Sequence, residues 1–123
     1  MFVKCPQSII LLQSIGGIAL NDLNSTFIKY INCYSDRSLR DLDGIYIDNY
    51  PFNTPAVCAQ NCSQLYFQYA GVQNSYQCWC GDSFNKYGRA ANCFLECPGD
   101  ASLICGGQYS NNVYEITNNS KFL

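Results

Sequence analysis

The chain has 123 residues, a formal net charge of −2 and no histidine. Its length predicts a single domain. Only 13% of its residues are charged, so no basic patch is available to bind nucleic acid. The lack of histidine removes the commonest general base and a common ligand of catalytic zinc. We therefore expect a protein that is not an enzyme and that uses no cofactor.

The nine cysteines indicate the cellular compartment. Eight of them fall within residues 33–105, a density typical of small extracellular domains stabilised by disulfides. The alternative is a zinc protein, whose cysteine pairs usually have two residues between them. The close pairs here have other spacings: Cys58/Cys62, Cys78/Cys80 and Cys93/Cys97. This pattern favours disulfides over metal ligands, and a protein that is secreted or on the extracellular face of the cell surface.

Residues 1–20 resemble a signal peptide. Lys4 gives a short positive region, and residues 8–20 are mostly apolar but too few to span a bilayer. The alternative is the tail of a preceding domain, because Gln13 and Ser14 interrupt the apolar run. Cleavage would remove Cys5 and leave eight cysteines to pair; a retained Cys5 would be an unpaired thiol or an intermolecular link.

The polar segments around the cysteine-rich region complete the predicted organisation. Residues 21–26 are a linker, residues 27–116 the domain, and residues 117–123 a tail. Glycosylation sequons at Asn24 and Asn118 flank the domain and are the candidate glycan attachment sites.

The elements follow from local patterns. Residues 27–34 (FIKYINCY) predict a strand, and residues 35–53 a loop in which residues 44–47 favour a short strand. Thr54-Pro55 marks a helix start, because the threonine caps free N–H groups and proline fits the first helical position. We expect this helix to run to about residue 65.

The second half predicts a hairpin and a closing strand. Residues 66–72 form one strand, residues 73–75 a turn, and residues 76–80 the returning strand. Residues 112–116 predict a final strand beside the first one.

Four cysteines are spaced so that the helix and the hairpin can be joined. Cys58 and Cys62 share one face of a helix, and Cys78 and Cys80 share one face of a strand. Four helical residues rise about 6 Å and two strand residues about 6.6 Å, so two parallel bridges would hold the helix flat on the hairpin. Trp79 then points to the opposite face, either into a second layer of core or onto a ligand-facing surface.

Five segments of the chain together resemble a WSC domain. They are CYSDRSLR (33–40), the helix with Cys58 and Cys62, FQYAGVQNSYQCWCG (67–81), NCFLECPGD (92–100) and CGGQYSNNVYEI (105–116). The resemblance implies a PAN/apple-like α+β fold: a small disulfide-rich domain with one main helix packed on an antiparallel sheet. It also implies four disulfides, joining Cys33 to Cys93, Cys58 to Cys78, Cys62 to Cys80, and Cys97 to Cys105.

The resemblance further implies a carbohydrate-binding or adhesive module. Sugars are recognised by flat aromatic rings, which cover the C–H-rich face of a pyranose, and by amides and carboxylates, which bond its hydroxyls. The candidate ligand-binding residues are Trp79, Tyr76, Gln73, Asn74, Gln77, Tyr34, Asp36, Arg37, Tyr69, Asp82 and Tyr109. The Gln73–Asn74 turn is the preferred single position. For any one tyrosine, packing in the core or at its rim is the alternative.

The sequence is compatible with three functions. The first is a non-catalytic module that binds a glycan or a cell-wall or extracellular-matrix polysaccharide. The second is a protein–protein interaction or self-adhesion module of a cell-surface protein, and the third is a structural spacer in a larger ectodomain. Metal binding is not expected.

Overall fold

The computed structural model describes residues 26–118, and within it Ile28–Thr117 form one compact unit. The described elements are β1 (Thr26–Ser35), β2 (Ile45–Ile47), α1 (Pro55–Gln64), β3 (Tyr69–Gln73), β4 (Gln77–Gly81), β5 (Glu96–Cys97), β6 (Asp100–Ile104) and β7 (Ser110–Asn118). The predicted signal peptide, Cys5, the Asn24 sequon and almost all of the predicted linker lie outside the described residues, as do residues 119–123 of the predicted tail. No helix in the described range is both long and apolar enough to cross a bilayer.

Five strands form the main sheet in the order β1-β7-β3-β4-β2. β3 pairs with both β4 and β7 in antiparallel register, and β2 pairs antiparallel with β4. The predicted neighbourhood of the first and last strands is confirmed. The predicted fold class, one helix packed on an antiparallel sheet in a small disulfide-rich α+β domain, is also confirmed.

The helix begins as its sequence predicts. The Thr54 hydroxyl accepts a hydrogen bond from the Val57 N–H at 3.1 Å, and Pro55 occupies the first turn. The next strand starts at Tyr69, three residues later than predicted. Residues 65–67 instead close the helix, since their N–H groups bond helix carbonyls and Tyr66 adopts a left-handed φ of 66°.

Two disulfides fasten the helix to the hairpin. Cys58 bonds Cys78 and Cys62 bonds Cys80, each with a Cα–Cα distance of 5.4 Å. The side-by-side arrangement brings three of these sulfurs within 4.8 Å of one another, but each is consumed by a bridge and none is a thiolate that could bind zinc. The pairs Cys33–Cys93 and Cys97–Cys105 complete the set that the resemblance implied.

The sheet is covered on both faces. The helix covers one face, where Cys58, Ala59 and Cys62 are fully buried against the strands. On the other face Trp79 is buried together with Leu42, so the first of the two alternatives for Trp79, a second layer of core, is the one observed.

The second layer depends on a glycine in the sheet. Gly71 is the cross-strand partner of Trp79 on β3. A Cβ at Gly71 would lie 2.4 Å from the Leu42 side chain, because the loop of residues 36–44 packs directly over this position.

The β5–β6 hairpin is absent from the sequence prediction. All five residues of β6 are exposed. Because neither side of this strand faces the core, its sequence lacks the alternation of apolar and polar residues that predicts a half-buried strand. The Cys97–Cys105 disulfide instead holds the hairpin together, and its pairing is irregular between Glu96 and Cys97.

Candidate ligand-binding cleft

A cleft of about 250 Å³ opens beside the β3–β4 turn. We call it the polar cleft, and its walls are formed by Arg40, Gln73, Asn74, Gln77, Gln108 and Tyr109. Three separate segments contribute these residues: the loop after β1, the β3–β4 hairpin, and the turn before β7. Four of the six side chains are amides.

The β3–β4 hairpin fixes the positions of three of these amide residues. Gln73 and Gln77 are direct cross-strand partners, so their side chains leave the sheet on the same face. Asn74 follows in the turn with a φ of 51°, a left-handed conformation that asparagine tolerates better than most residues. The local sequence thus places the amides at one edge of the cleft.

Tyr109 supplies the aromatic surface. Its side chain is 56% exposed, and its φ of 54° places it in a tight turn closed by bonds between Gly107 and Ser110. Its carbonyl accepts the Asp36 N–H at 2.9 Å, which ties this turn to the loop after β1. A half-exposed ring on a fixed backbone is suited to stacking with a flat ligand.

Arg40 is held in place by a carboxylate and an indole ring. Its guanidinium donates to Asp36 at 2.7 Å and lies 4.5 Å from the centre of the Trp79 ring. Tyr46 approaches the indole from the β2 side and stacks on it at 4.2 Å with an interplanar angle of 9°. Arg40 lies on the β3 side, where Asp36 also bonds Gln73, so the indole is enclosed between the two.

Trp79 therefore forms the base of the cleft rather than its wall. It is only 6% exposed, and its indole N–H donates to the Gln77 side-chain oxygen at 3.2 Å. This bond orients the Gln77 amide. The stacked Tyr46 and the cationic Arg40 occupy the ring, which leaves no indole face for a sugar.

Asp36 is the buried charge beneath the cleft. Burial by itself would raise the pKa of this carboxyl, but hydrogen bonds from the Asp41 N–H, the Gln73 amide and the Arg40 guanidinium outweigh burial and lower the pKa below its usual value. The carboxylate stays ionised and cancels the charge of Arg40, so the cleft as a whole is close to neutral.

The structure gathers some of the predicted site residues and separates others. Gln73, Asn74, Gln77 and Tyr109 line the polar cleft, and Asp36 and Trp79 lie beneath it. The remaining predicted residues lie elsewhere: Tyr76 in a neighbouring groove, Tyr34 and Tyr69 against Phe84, Asp82 on the Gln68 N–H, and Arg37 over the Tyr87 ring.

Two cleft residues were missed by sequence reasoning. Arg40 is four residues after Asp36 in the CYSDRSLR segment, a spacing that suggests an ion pair but not a place in a binding site. Gln108 precedes Tyr109 in a polar turn, and nothing in its local sequence distinguishes it. Gln108 reaches the cleft because β7 lies beside β3, and Arg40 reaches it because the loop after β1 packs against Trp79.

The fold and the cleft define the class of this protein: a small α+β module with four disulfides among its described residues and a neutral, amide-rich cleft at the end of a hairpin. The family model described as WSC domain matches residues 30–107. The chain belongs to the WSC domain family.

Several curated proteins contain a similar segment. The chain is 38% identical over 98 residues to "Xylosyltransferase oxt" of Drosophila pseudoobscura pseudoobscura, covering 75% of this chain and 11% of that protein. It is 32% identical over 91 residues to "Protein SLG1" of Saccharomyces cerevisiae, covering 72% and 23% respectively. The match to "Kremen protein 1" of Homo sapiens is 38% identical over 58 residues, 44% of this chain and 12% of that protein. The chain thus spans under a quarter of each of these three relatives.

Proposed function

We propose that this protein is an extracellular, non-catalytic module that binds a glycan in the polar cleft. The observation that carries this is the convergence of amide side chains around the half-exposed Tyr109 ring in a neutral cleft. Stacking on the ring accommodates the C–H face of a pyranose, and the amides bond its hydroxyls. The glycan would belong to a cell wall or an extracellular matrix.

The size of the cleft sets the scale of the affinity. A cleft of about 250 Å³ is smaller than the about 300–1,000 Å³ of sites that enclose a drug-sized ligand, so it accommodates about one sugar ring. A ring of about a dozen non-hydrogen atoms, at about 0.3 kcal/mol per atom, binds with a Kd of about 2 mM. Attachment to a polysaccharide would then rely on many weak contacts.

A catalytic role is disfavoured by the carboxylate chemistry of the cleft. Asp36, the carboxylate beneath it, is buried and ion-paired, and its pKa is lowered. A glycosidase acid needs the opposite, a raised pKa and access to the glycosidic oxygen. The similarity to a xylosyltransferase covers only 11% of that protein and transfers no activity here.

The test is retention on insoluble neutral polysaccharides combined with the fluorescence of Trp79, the single tryptophan. Because Trp79 contacts both Arg40 and Gln77, a ligand in the cleft should change its emission. We expect Tyr109→Ala to reduce retention at least tenfold. Absence of retention by glucans, mannans, xylans, chitin and animal glycans would exclude the proposal.

Tyr66→Ala is the matched control. Tyr66 is 93% exposed and, like Tyr109, has a left-handed backbone with a φ of 66°. It follows the helix and does not line the polar cleft. The control should bind as the unchanged protein does, with the same midpoint of thermal unfolding.

The second candidate is a protein–protein or self-adhesion module. The exposed Tyr66, Leu39 and Phe52, at 93%, 74% and 69%, favour it, since exposed apolar side chains are a signature of interaction surfaces. Concentration-dependent association in sedimentation velocity, abolished by alanine at these positions and unaffected by Tyr109→Ala, would support it.

A further inference from the structure

A second cavity adjoins the β3–β4 turn next to the polar cleft. It has a volume of about 560 Å³, and we call it the aromatic groove. Its walls include Ser75, Tyr76, Phe94, Glu96 and Pro98.

The two cavities share one wall. Asn74 lines the polar cleft, and the next two residues, Ser75 and Tyr76, line the aromatic groove. Consecutive Cα atoms are about 3.8 Å apart, so a single turn separates the cavities. A ligand that extends from the cleft across this turn would therefore meet Ser75 and Tyr76 of the groove.

The groove presents aromatic rings that the rest of the fold does not cover. Tyr76 is 48% exposed and Phe94 is 67% exposed. Neither ring stacks on another ring in the described residues. In the polar cleft the exposed Tyr109 offers the same kind of surface, so aromatic platforms are present in both cavities.

The groove is also held rigid. The Leu95 N–H donates to the Gly106 carbonyl at 2.9 Å, and the Cys105 N–H donates to the Leu95 carbonyl at 2.7 Å. The Ser75 N–H donates to the Cys105 carbonyl at 3.0 Å, and Cys105 is bonded to Cys97. Both walls are therefore anchored to the same cysteine, so the backbone that carries the two rings is fixed before a ligand arrives.

The charges point to an uncharged ligand. Glu96 is the charged residue in the wall of the groove, and the Arg40 charge in the cleft is compensated by Asp36. A uronic-acid or sulfated chain would meet a carboxylate in one cavity and a neutralised cation in the other.

We propose that the aromatic groove is a second subsite for the same glycan, so that a neutral oligosaccharide of several rings lies across the β3–β4 turn with one ring on Tyr109 and a later ring on Phe94. This inference rests on the proposed function of the polar cleft. It identifies the ligand as an uncharged polysaccharide chain bound along its length.

The experiment is a fluorescence and calorimetric titration with neutral oligosaccharides of one to six rings from the gluco-, xylo- and chito- series. We expect affinity to rise at least tenfold with length in one series. Phe94→Ala should lose that gain while keeping the affinity for the shortest ligand. Leu103→Ala, at an exposed position of β6 outside the groove, is the matched control and should behave as the unchanged protein.

Each outcome discriminates. Length-dependent affinity that Phe94→Ala leaves intact would refute the second subsite while preserving the glycan function. Tighter binding of heparin-derived or uronic-acid oligosaccharides would refute the neutral class. Self-association of the unchanged protein that Phe94→Ala abolishes, with no change in oligosaccharide affinity, would make the groove a self-association surface instead. Failure of every oligosaccharide and polysaccharide would refute the proposed function itself.

Discussion

A buried carboxylate, that of Asp36, connects the segments that form the polar cleft. Its two oxygens accept hydrogen bonds from the Arg40 and Gln73 side chains and from the Asp41 N–H. The backbone N–H of Asp36 donates to the Tyr109 carbonyl. The sequence marked Asp36 as a partner for sugar hydroxyls. With 4% of its surface exposed, it is better placed to orient the groups that would meet the ligand.

Replacing Asp36 by Asn should destabilise the protein in a pH-dependent way. The folded pKa of Asp36 lies below its ordinary value, so the ionised carboxylate stabilises the fold above about pH 4 and this contribution is lost as the pH falls through the lowered pKa. We expect Asp36→Asn to cost about 2 kcal/mol at pH 7, measured by urea unfolding.

The pH series contains its own check. The difference in unfolding free energy between Asp36→Asn and the unchanged protein should shrink below about pH 4, because the carboxyl of the unfolded chain is then protonated while the folded one, whose pKa is lowered, still has to take up its proton. A difference that stays constant from pH 7 to pH 3 would show that the carboxylate's charge is not what holds the cleft together.

Some side chains of the polar cleft are neighbours in the sequence, and others come from distant segments. Gln73, Asn74 and Gln77 were each candidates from the sequence, and the hairpin brings them together because it fixes their relation within five residues. Arg40 and Gln108 are far apart in the chain and meet only through packing of a loop and a turn. Tyr76 was expected beside the turn amides, and the turn itself places it in the other cavity.

At the scale of elements, the helix start is set by one side chain. The Thr54 hydroxyl accepts the Val57 N–H, which satisfies one of the free donors of the first turn. Thr54→Ala should lower the unfolding free energy by about 1 kcal/mol, measured by urea titration. Thr54→Ser keeps the acceptor and should lose much less; equal losses would assign the effect to the methyl group.

Of the two helix-to-hairpin disulfides, the one removed second should cost more unfolding free energy than the one removed first. They join residues 20 and 18 apart. While one bridge remains, the other closes a ring of about eight residues and contributes about 2.5 kcal/mol; once it is alone, it closes a loop of about 20 residues and contributes about 3.3 kcal/mol.

Paired replacement by alanine tests this order. Cys58→Ala with Cys78→Ala, Cys62→Ala with Cys80→Ala, and all four together should be compared by unfolding without reductant. We expect the second pair removed to cost more than the first from either starting point. The reverse order would mean that the bridges act through packing in the folded state rather than through the unfolded chain.

Element boundaries were predictable where local chemistry decides them. Thr54-Pro55 predicted the helix start, partly alternating residues indicated β1, and the turn after β3 indicated β4 as its hairpin partner. The start of β3 was misplaced because residues 65–67 complete the helix end, a demand that comes from unpaired helix carbonyls. The β5–β6 hairpin has no core-facing pattern, since it is held by a disulfide and exposed.

At the scale of the whole molecule, charge limits the range of partners. The net charge is −2, and the ion pair at the cleft is internally compensated. We expect no retention on heparin or DNA columns at low salt, and glycan binding that changes less than twofold between low and high salt, because no counterions are released. A steep salt dependence of binding would point to an anionic ligand instead.

The disulfide-rich class, the helix, the hairpin and the faces of four cysteines were predictable from the sequence, because they depend on cysteine density and on spacing along a regular helix or strand. Tertiary structure alone decided that Trp79 is enclosed, that Asp36 is buried, and that Arg40 and Tyr109 share a cleft with the hairpin amides. Those relations arise from the packing of a loop and a distant strand over the sheet, and no local pattern encodes which side chains such packing brings together.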